Sequence, residues 1–131
     1  MSSVVSDFTP EFFAGDGNER LRSSDLSALP AVEGRIGAPI ARPSLILCVG
    51  LNYVDHANES SMKVPEEPIL FTKAPNCLVG PYDEVLTPRG ATTVDYEVEL
   101  AVVIGRQCRY LESPEQAMEH LAGFTIANDV S

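Results

Sequence analysis

The sequence predicts an α+β fold that is mostly β, a mostly antiparallel or mixed sheet with peripheral helices. Three observations carry that prediction. Thr93 to Gly105 alternates side-chain type along its full length, the two-residue period of a strand. Shorter apolar runs stop at Gly50 and at Ala74-Pro75, which bounds them as strands. One segment, from Ser113-Pro114 to Gly123, carries helix start and stop signals.

The elements follow in order. Ser2 to Ala41 is rich in Ser, Gly, Pro and acidic residues with weak periodicity, so residues 1–42 read as a lead-in segment or linker and residues 43–131 as the main domain. Two pieces of the lead-in, Phe8 to Ala14 and Leu21 to Leu29, have ordered patterns, and Ala31 to Ile40 reads as an extended connector because Pro fixes φ and Gly weakens regular structure. Ser44 to Val49 is a buried strand that turns at Gly50, and Tyr53 to Ser60 a short helix. Pro68 and Pro75 frame a strand over Ile69 to Lys73. Gly80-Pro81-Tyr82-Asp83 is a turn, Glu84 to Leu86 a short strand and Pro88-Arg89-Gly90 another turn.

In the long alternating strand, Val94, Tyr96, Val98, Leu100, Val102 and Ile104 share one face, and that face is expected to meet a core. For the helix, Ser113 caps, Pro114 takes the first position, Gln116 completes a capping box and Gly123 ends it. A final strand, Phe124 to Ala127, runs into Asn128-Asp129.

Charge and composition exclude several classes. The 131 residues hold nine Lys and Arg against nineteen Asp and Glu, a net charge of −10, so a phosphate backbone would be repelled and nucleic acid is not an expected partner. Apolar runs such as Leu45 to Val49 and Leu100 to Ile104 are far too short to span a membrane. Met1 to Thr9 lacks a basic start and an apolar stretch, so no secretory signal is expected. Cys48, Cys77 and Cys108 form no CxxC, which reads as three reduced thiols in a cytoplasmic protein. Cys48 reads as a small buried hydrophobe.

The residues able to carry chemistry are few. Glu97 and Glu99, two apart on a strand, project from one face about 7 Å apart. They serve either as a solvated face or, with Asp129 at the end of a later strand, as three hard oxygen ligands suited to Mg²⁺, Mn²⁺ or Ca²⁺. His56 and Glu59 stand at i and i+3, either an incidental ion pair on a surface helix or a carboxylate that orients an imidazole as a general base. Lys73 ends an apolar strand, either as a snorkelling edge lysine or as a cation aimed at an anionic substrate. His120 reads as a favourable charge at a helix C-terminus.

Several segments in this order resemble the amino-terminal part of the catalytic domain of the fumarylacetoacetate hydrolase superfamily. They are Cys48-Val49-Gly50-Leu51-Asn52-Tyr53-Val54-Asp55-His56-Ala57-Asn58-Glu59, Val64 to Lys73, Val79 to Asp83, Asp95 to Gly105, and Ala122-Gly123-Phe124 through Ser131. The resemblance implies that superfamily's mixed β-roll, left incomplete at the C-terminal end because members continue well past the position of Ser131. It also implies a homodimer when full length, and Mg²⁺ or Mn²⁺ held by Glu97, Glu99 and Asp129. His56 with Glu59 would be the acid–base pair, and Lys73 would lie near the pocket. The implied activity is metal-dependent hydrolysis of C–C bonds in small anionic oxo-acid or β-dicarbonyl compounds. Isomerase, decarboxylase or lyase chemistry is the alternative, as is a truncated, non-catalytic assembly domain.

Overall fold

The computed structural model describes residues 5, 7–31, 33–40 and 42–131. Two short helices, α1 (Pro10–Ala14) and α2 (Gly17–Ser23), are followed by a 3-10 turn at Leu26–Ala28. Then come β1 (Ile46–Gly50), α3 (Val54–Glu59), β2 (Ile69–Lys73), β3 (Val98–Ile104), α4 (Pro114–Met118) and β4 (Leu121–Asn128). Among the described residues the strands form two antiparallel pairs, β1 with β2 and β3 with β4. Ile46 lies opposite Lys73 in the first pair, and Val98 opposite Asn128 in the second.

The main strands and α3 form within a few residues of where the patterns indicate, and four details differ. β3 spans seven residues rather than Thr93 to Gly105, because alternation measures only the capacity to pair. Asp95 is bonded by Ser131, through Asp95 N–H to Ser131 O at 2.8 Å and the reverse at 3.2 Å, but no regular ladder reaches Thr93. Glu84 to Leu86 is extended without strand pairing. Helix α4 stops at Met118; Ser113 caps it as expected, but the Gln116 side chain accepts from the Glu112 amide at 2.9 Å instead of closing the box on Ser113. Gly123 pairs with Val103 inside β4 rather than ending the helix. The chain is captured earlier, at the His120 carbonyl, which accepts from the Gly105 and Arg106 amides.

The expected core face is the largest correction. Val98, Leu100 and Ile126 are 67%, 60% and 78% exposed, and Val102, Ile104 and Phe124 are exposed beside them. Ala57 is the only fully buried apolar residue among those described. The accessible surface is 10781 Å², whereas a compact globule of 14.1 kDa would expose about 6,700 Å². Nothing in the described chain covers this apolar side of β3–β4. Elsewhere on this pair Val103, Ala122 and Phe124 line a cavity together with Phe8, Phe13 and Leu21 of the lead-in segment. The Asn18 amide there donates to the Ala122 carbonyl at 3.3 Å.

The connector is tied down as well. The Arg35 guanidinium donates to Asp83 (Nε to Oδ1, 2.7 Å), and the buried Gly80 approaches so closely that a Cβ there would lie 2.3 Å from the Ile36 carbonyl.

Candidate active site

β3 and β4 bring distant carboxylates together through their register. Asp129 follows β4 directly, and its amide donates to the Glu97 carbonyl at 2.7 Å, so the two residues face each other across the ladder. Glu99 is two residues further along, so all three side chains belong to the face opposite Leu100 and Val102. All three residues are half-buried. The Asn128 side chain accepts from the Glu97 amide at 3.2 Å, and the Ser131 hydroxyl donates to Glu97 Oε1 at 2.9 Å.

The β1–β2 pair supplies the cation. Lys73 ends β2, and its Nζ lies 2.6 Å from Asp129 Oδ1, with the two side chains 31% and 17% exposed. This pair joins the two sheets. A second link is the Tyr53 hydroxyl, which accepts from the Leu100 amide at 3.3 Å. Asp129 raises the Lys73 ammonium above the ordinary lysine range, through its hydrogen bond more than its charge, against a smaller opposing effect of burial. Cys48 is half-buried rather than buried. Burial pushes its thiol up first; the negative charges of Asp129 and Glu99 add to that while Lys73 opposes it. Cys48 therefore belongs to this neighbourhood. Its position two residues from Ile46, the partner of Lys73, is a strand-period signal that could have marked it.

The donor set suits a hard divalent cation in type and in register: three carboxylates and no thiolate or imidazole. Two of the carboxylates are turned to other partners, Asp129 to Lys73 and Glu97 to Ser131. Among the described residues no group of three or more His, Cys, Asp or Glu side chains is gathered to hold a metal. The positive charge at Asp129 is the lysine's.

His56 and Glu59 both lie exposed on α3, and no hydrogen bond joins them. The His56 carbonyl accepts from the Ser60 amide at 3.0 Å and from its hydroxyl at 2.7 Å. The helix is held by buried Ala57 and entered through Leu51, whose φ of 51° is uncommon for a residue other than glycine. His120 lies beyond α4 rather than in its last turn, and its Nδ1 is buried without a hydrogen-bond partner among the described residues. Tyr53, Cys48 and Ser131 join the site only through the tertiary structure. For Ser131, the period of two from Asp129 is the signal that could have found it.

Residues 45–131, which include every one of the candidate site residues, match the family profile described as fumarylacetoacetate (FAA) hydrolase C-terminal. The chain belongs to the fumarylacetoacetate hydrolase family. It is 49% identical over 112 residues to human mitochondrial oxaloacetate tautomerase FAHD2A, covering 86% of this chain and 35% of that protein. It is 44% identical over 133 residues to 2,4-didehydro-3-deoxy-L-rhamnonate hydrolase of a Sphingomonas species, covering all of this chain and 45% of that one. The crystal structure of fumarylacetoacetate hydrolase from psychrophilic Exiguobacterium antarcticum superposes with a TM-score of 0.63 at 41% identity, over 81% of this chain and 39% of that chain. The chain thus spans between a third and a half of the length of these family members. Among the described residues no helix is long and apolar enough to cross a membrane.

Proposed function

We propose that this chain carries metal-binding and acid–base residues of a family enzyme that hydrolyses a C–C bond in a small anionic oxo-acid or β-dicarbonyl compound. The observation that carries this reading is that the strand register puts Glu97, Glu99 and Asp129 on one sheet face, with a lysine ammonium 2.6 Å from Asp129. Glu97, Glu99 and Asp129 would hold Mg²⁺ or Mn²⁺, with Ca²⁺ also compatible, which supplies positive charge against the negative charge that develops on a substrate carbonyl oxygen.

The chain's own groups do the rest. Lys73, at the rim of the acidic face, attracts and orients an anionic substrate that the three carboxylates alone would repel. His56 on exposed α3 takes a proton from water, and Glu59 one turn away steadies the imidazolium that results. The activated water attacks the carbonyl, the bond to the neighbouring carbon breaks with its electron pair left on that carbon as an enolate, and the imidazolium of His56 returns the proton to it. The second reading is proton transfer without hydrolysis, favoured by the tautomerase name of the human relative. There His56 would move a proton between carbon and oxygen of a 2-oxo acid. Decarboxylase or lyase chemistry would draw on the same groups.

Residues 43–131 are proposed as part of the catalytic domain and residues 1–42 as its lead-in segment or linker. A homodimer at full length and a cytoplasmic, thiol-reducing compartment complete the proposal, the latter supported by three free cysteines. A non-catalytic assembly role is the rival, favoured by the bare apolar side of β3–β4.

The test is calorimetric titration with Mg²⁺ and Mn²⁺ of the protein and of the Glu97→Gln/Glu99→Gln variant, followed by a screen of acylpyruvates and oxaloacetate. Binding that disappears in the variant supports the site; unchanged binding refutes it. Release of two carboxylic or carbonyl products identifies hydrolysis, and a keto–enol absorbance change without cleavage identifies the second reading. Metal binding at this site without turnover of any substrate favours the assembly role.

A further inference from the structure

We propose that Lys73 is a tethered counter-cation that keeps Asp129 neutralised in the metal-free protein and is exchanged for the divalent cation on loading. The freed ammonium then becomes available to the carboxylate of an incoming oxo-acid. The proposal rests on the metal reading above and adds a hand-over to it.

The placement of the pair motivates the exchange. Lys73 comes from the end of β2 and Asp129 from just past β4, so their contact is tertiary and joins two sheets. The Asp129 side chain is 17% exposed, and a half-buried carboxylate is stabilised by a positive partner. Lys73 is the only ion-pair partner of Asp129 among the described residues.

Geometry makes double occupancy of the same oxygen unfavourable. A divalent ion sits about 2.0–2.6 Å from a carboxylate oxygen, and the ammonium is 2.6 Å from Oδ1. Both on one oxygen would stand within about 5 Å of each other, in a half-buried setting where like charges repel more strongly than in water. The ammonium can leave: it is a compact charge on a flexible four-carbon stem, and its strand ends at that residue before Ala74-Pro75. Charge balance favours the exchange too. Glu97, Glu99 and Asp129 bring three negative charges, so a dication leaves one negative charge on the cluster while the displaced ammonium offers one positive charge nearby. A metal-loaded site would then present a cation for the substrate, whereas the empty one would hold that cation against its own aspartate.

The test reads Lys73 directly in the unmodified protein. The protein is acetylated with an amine-reactive ester at increasing Mn²⁺, and modification of Lys73 is quantified by peptide mass spectrometry. Exposed Lys63, 3.0 Å from Glu66, is the internal reference. Slow labelling of Lys73 without metal, rising several-fold along the calorimetric Mn²⁺ binding curve while Lys63 stays constant, is expected. Labelling that is unchanged or falls while Mn²⁺ binds at the Glu97/Glu99/Asp129 site overturns the exchange and leaves the metal reading standing. Failure of Mn²⁺ to bind there overturns both. As a second measurement, Lys73→Gln should tighten Mn²⁺ binding by about tenfold, the effect of a unit charge some 6 Å from a dication even at the dielectric of water. Weaker binding in a folded variant overturns the proposal.

Discussion

Replacing Leu100 tests the apolar side of β3–β4 directly. Full burial of a leucine side chain contributes about 1.5–3 kcal/mol, but Leu100 is 60% exposed, so less than half of that contribution is at stake. Leu100→Ala should therefore cost no more than about 1 kcal/mol. Val103 is half-buried on the opposite side, where it lines a cavity with Phe8, Phe13 and Leu21. Val103→Ala should cost as much or more, about 1–2 kcal/mol, although it removes less hydrocarbon. Urea denaturation followed by circular dichroism at low micromolar concentration measures both. The same surface should bind a hydrophobic dye, and Leu100→Lys with Ile126→Lys should reduce that binding without unfolding the protein. A loss above about 2 kcal/mol for Leu100→Ala would refute the reasoning, because only a packed leucine contributes that much.

Arg35 holds the Asp83 carboxyl below the ordinary aspartate range, through a hydrogen bond first and with help from the Gly80 amide. The folded state thus binds that proton more weakly than the unfolded chain. The contribution is present above the ordinary aspartate value and disappears as pH falls through the depressed one; urea titrations between pH 6 and pH 2, within roughly this carboxylate window, should lose that step in Asp83→Asn. Lys73 shifts the other way, raised by Asp129, so its contribution is complete below the ordinary lysine value and is lost as pH rises through the higher folded one. Lys73→Met should destabilise the link between the sheets by about 1–3 kcal/mol, between exposed and buried ion pairs, measured by urea midpoint at neutral pH. Gly80→Ala places a carbon 2.3 Å from the Ile36 carbonyl and should cost about 1–3 kcal/mol, with proteolysis in the 31–40 connector accelerated.

Local chemistry was legible where it is local. Pro68 and Pro75 bound β2 to its observed limits, Ser113 and Pro114 start α4, and the period of two places Glu97 and Glu99 on one face. Each of these depends on residues within a few positions of one another, so backbone sterics and strand pleating suffice. Gly123 does not stop the helix, because glycine is also compatible with a strand and the ladder to Val103 decides between them.

What only the tertiary structure decided was which distant residues meet and which face is covered. The amino-acid order establishes that Asp129 ends a strand, but the register opposite Glu97 and the ion pair with Lys73 arise from strands separated by dozens of residues. Alternation in β3 likewise announces an apolar face and cannot say what covers it. Covering requires another layer of polypeptide, and among the described residues Val103 and Ala122 share a cavity with the lead-in segment while Leu100 and Ile126 stay exposed.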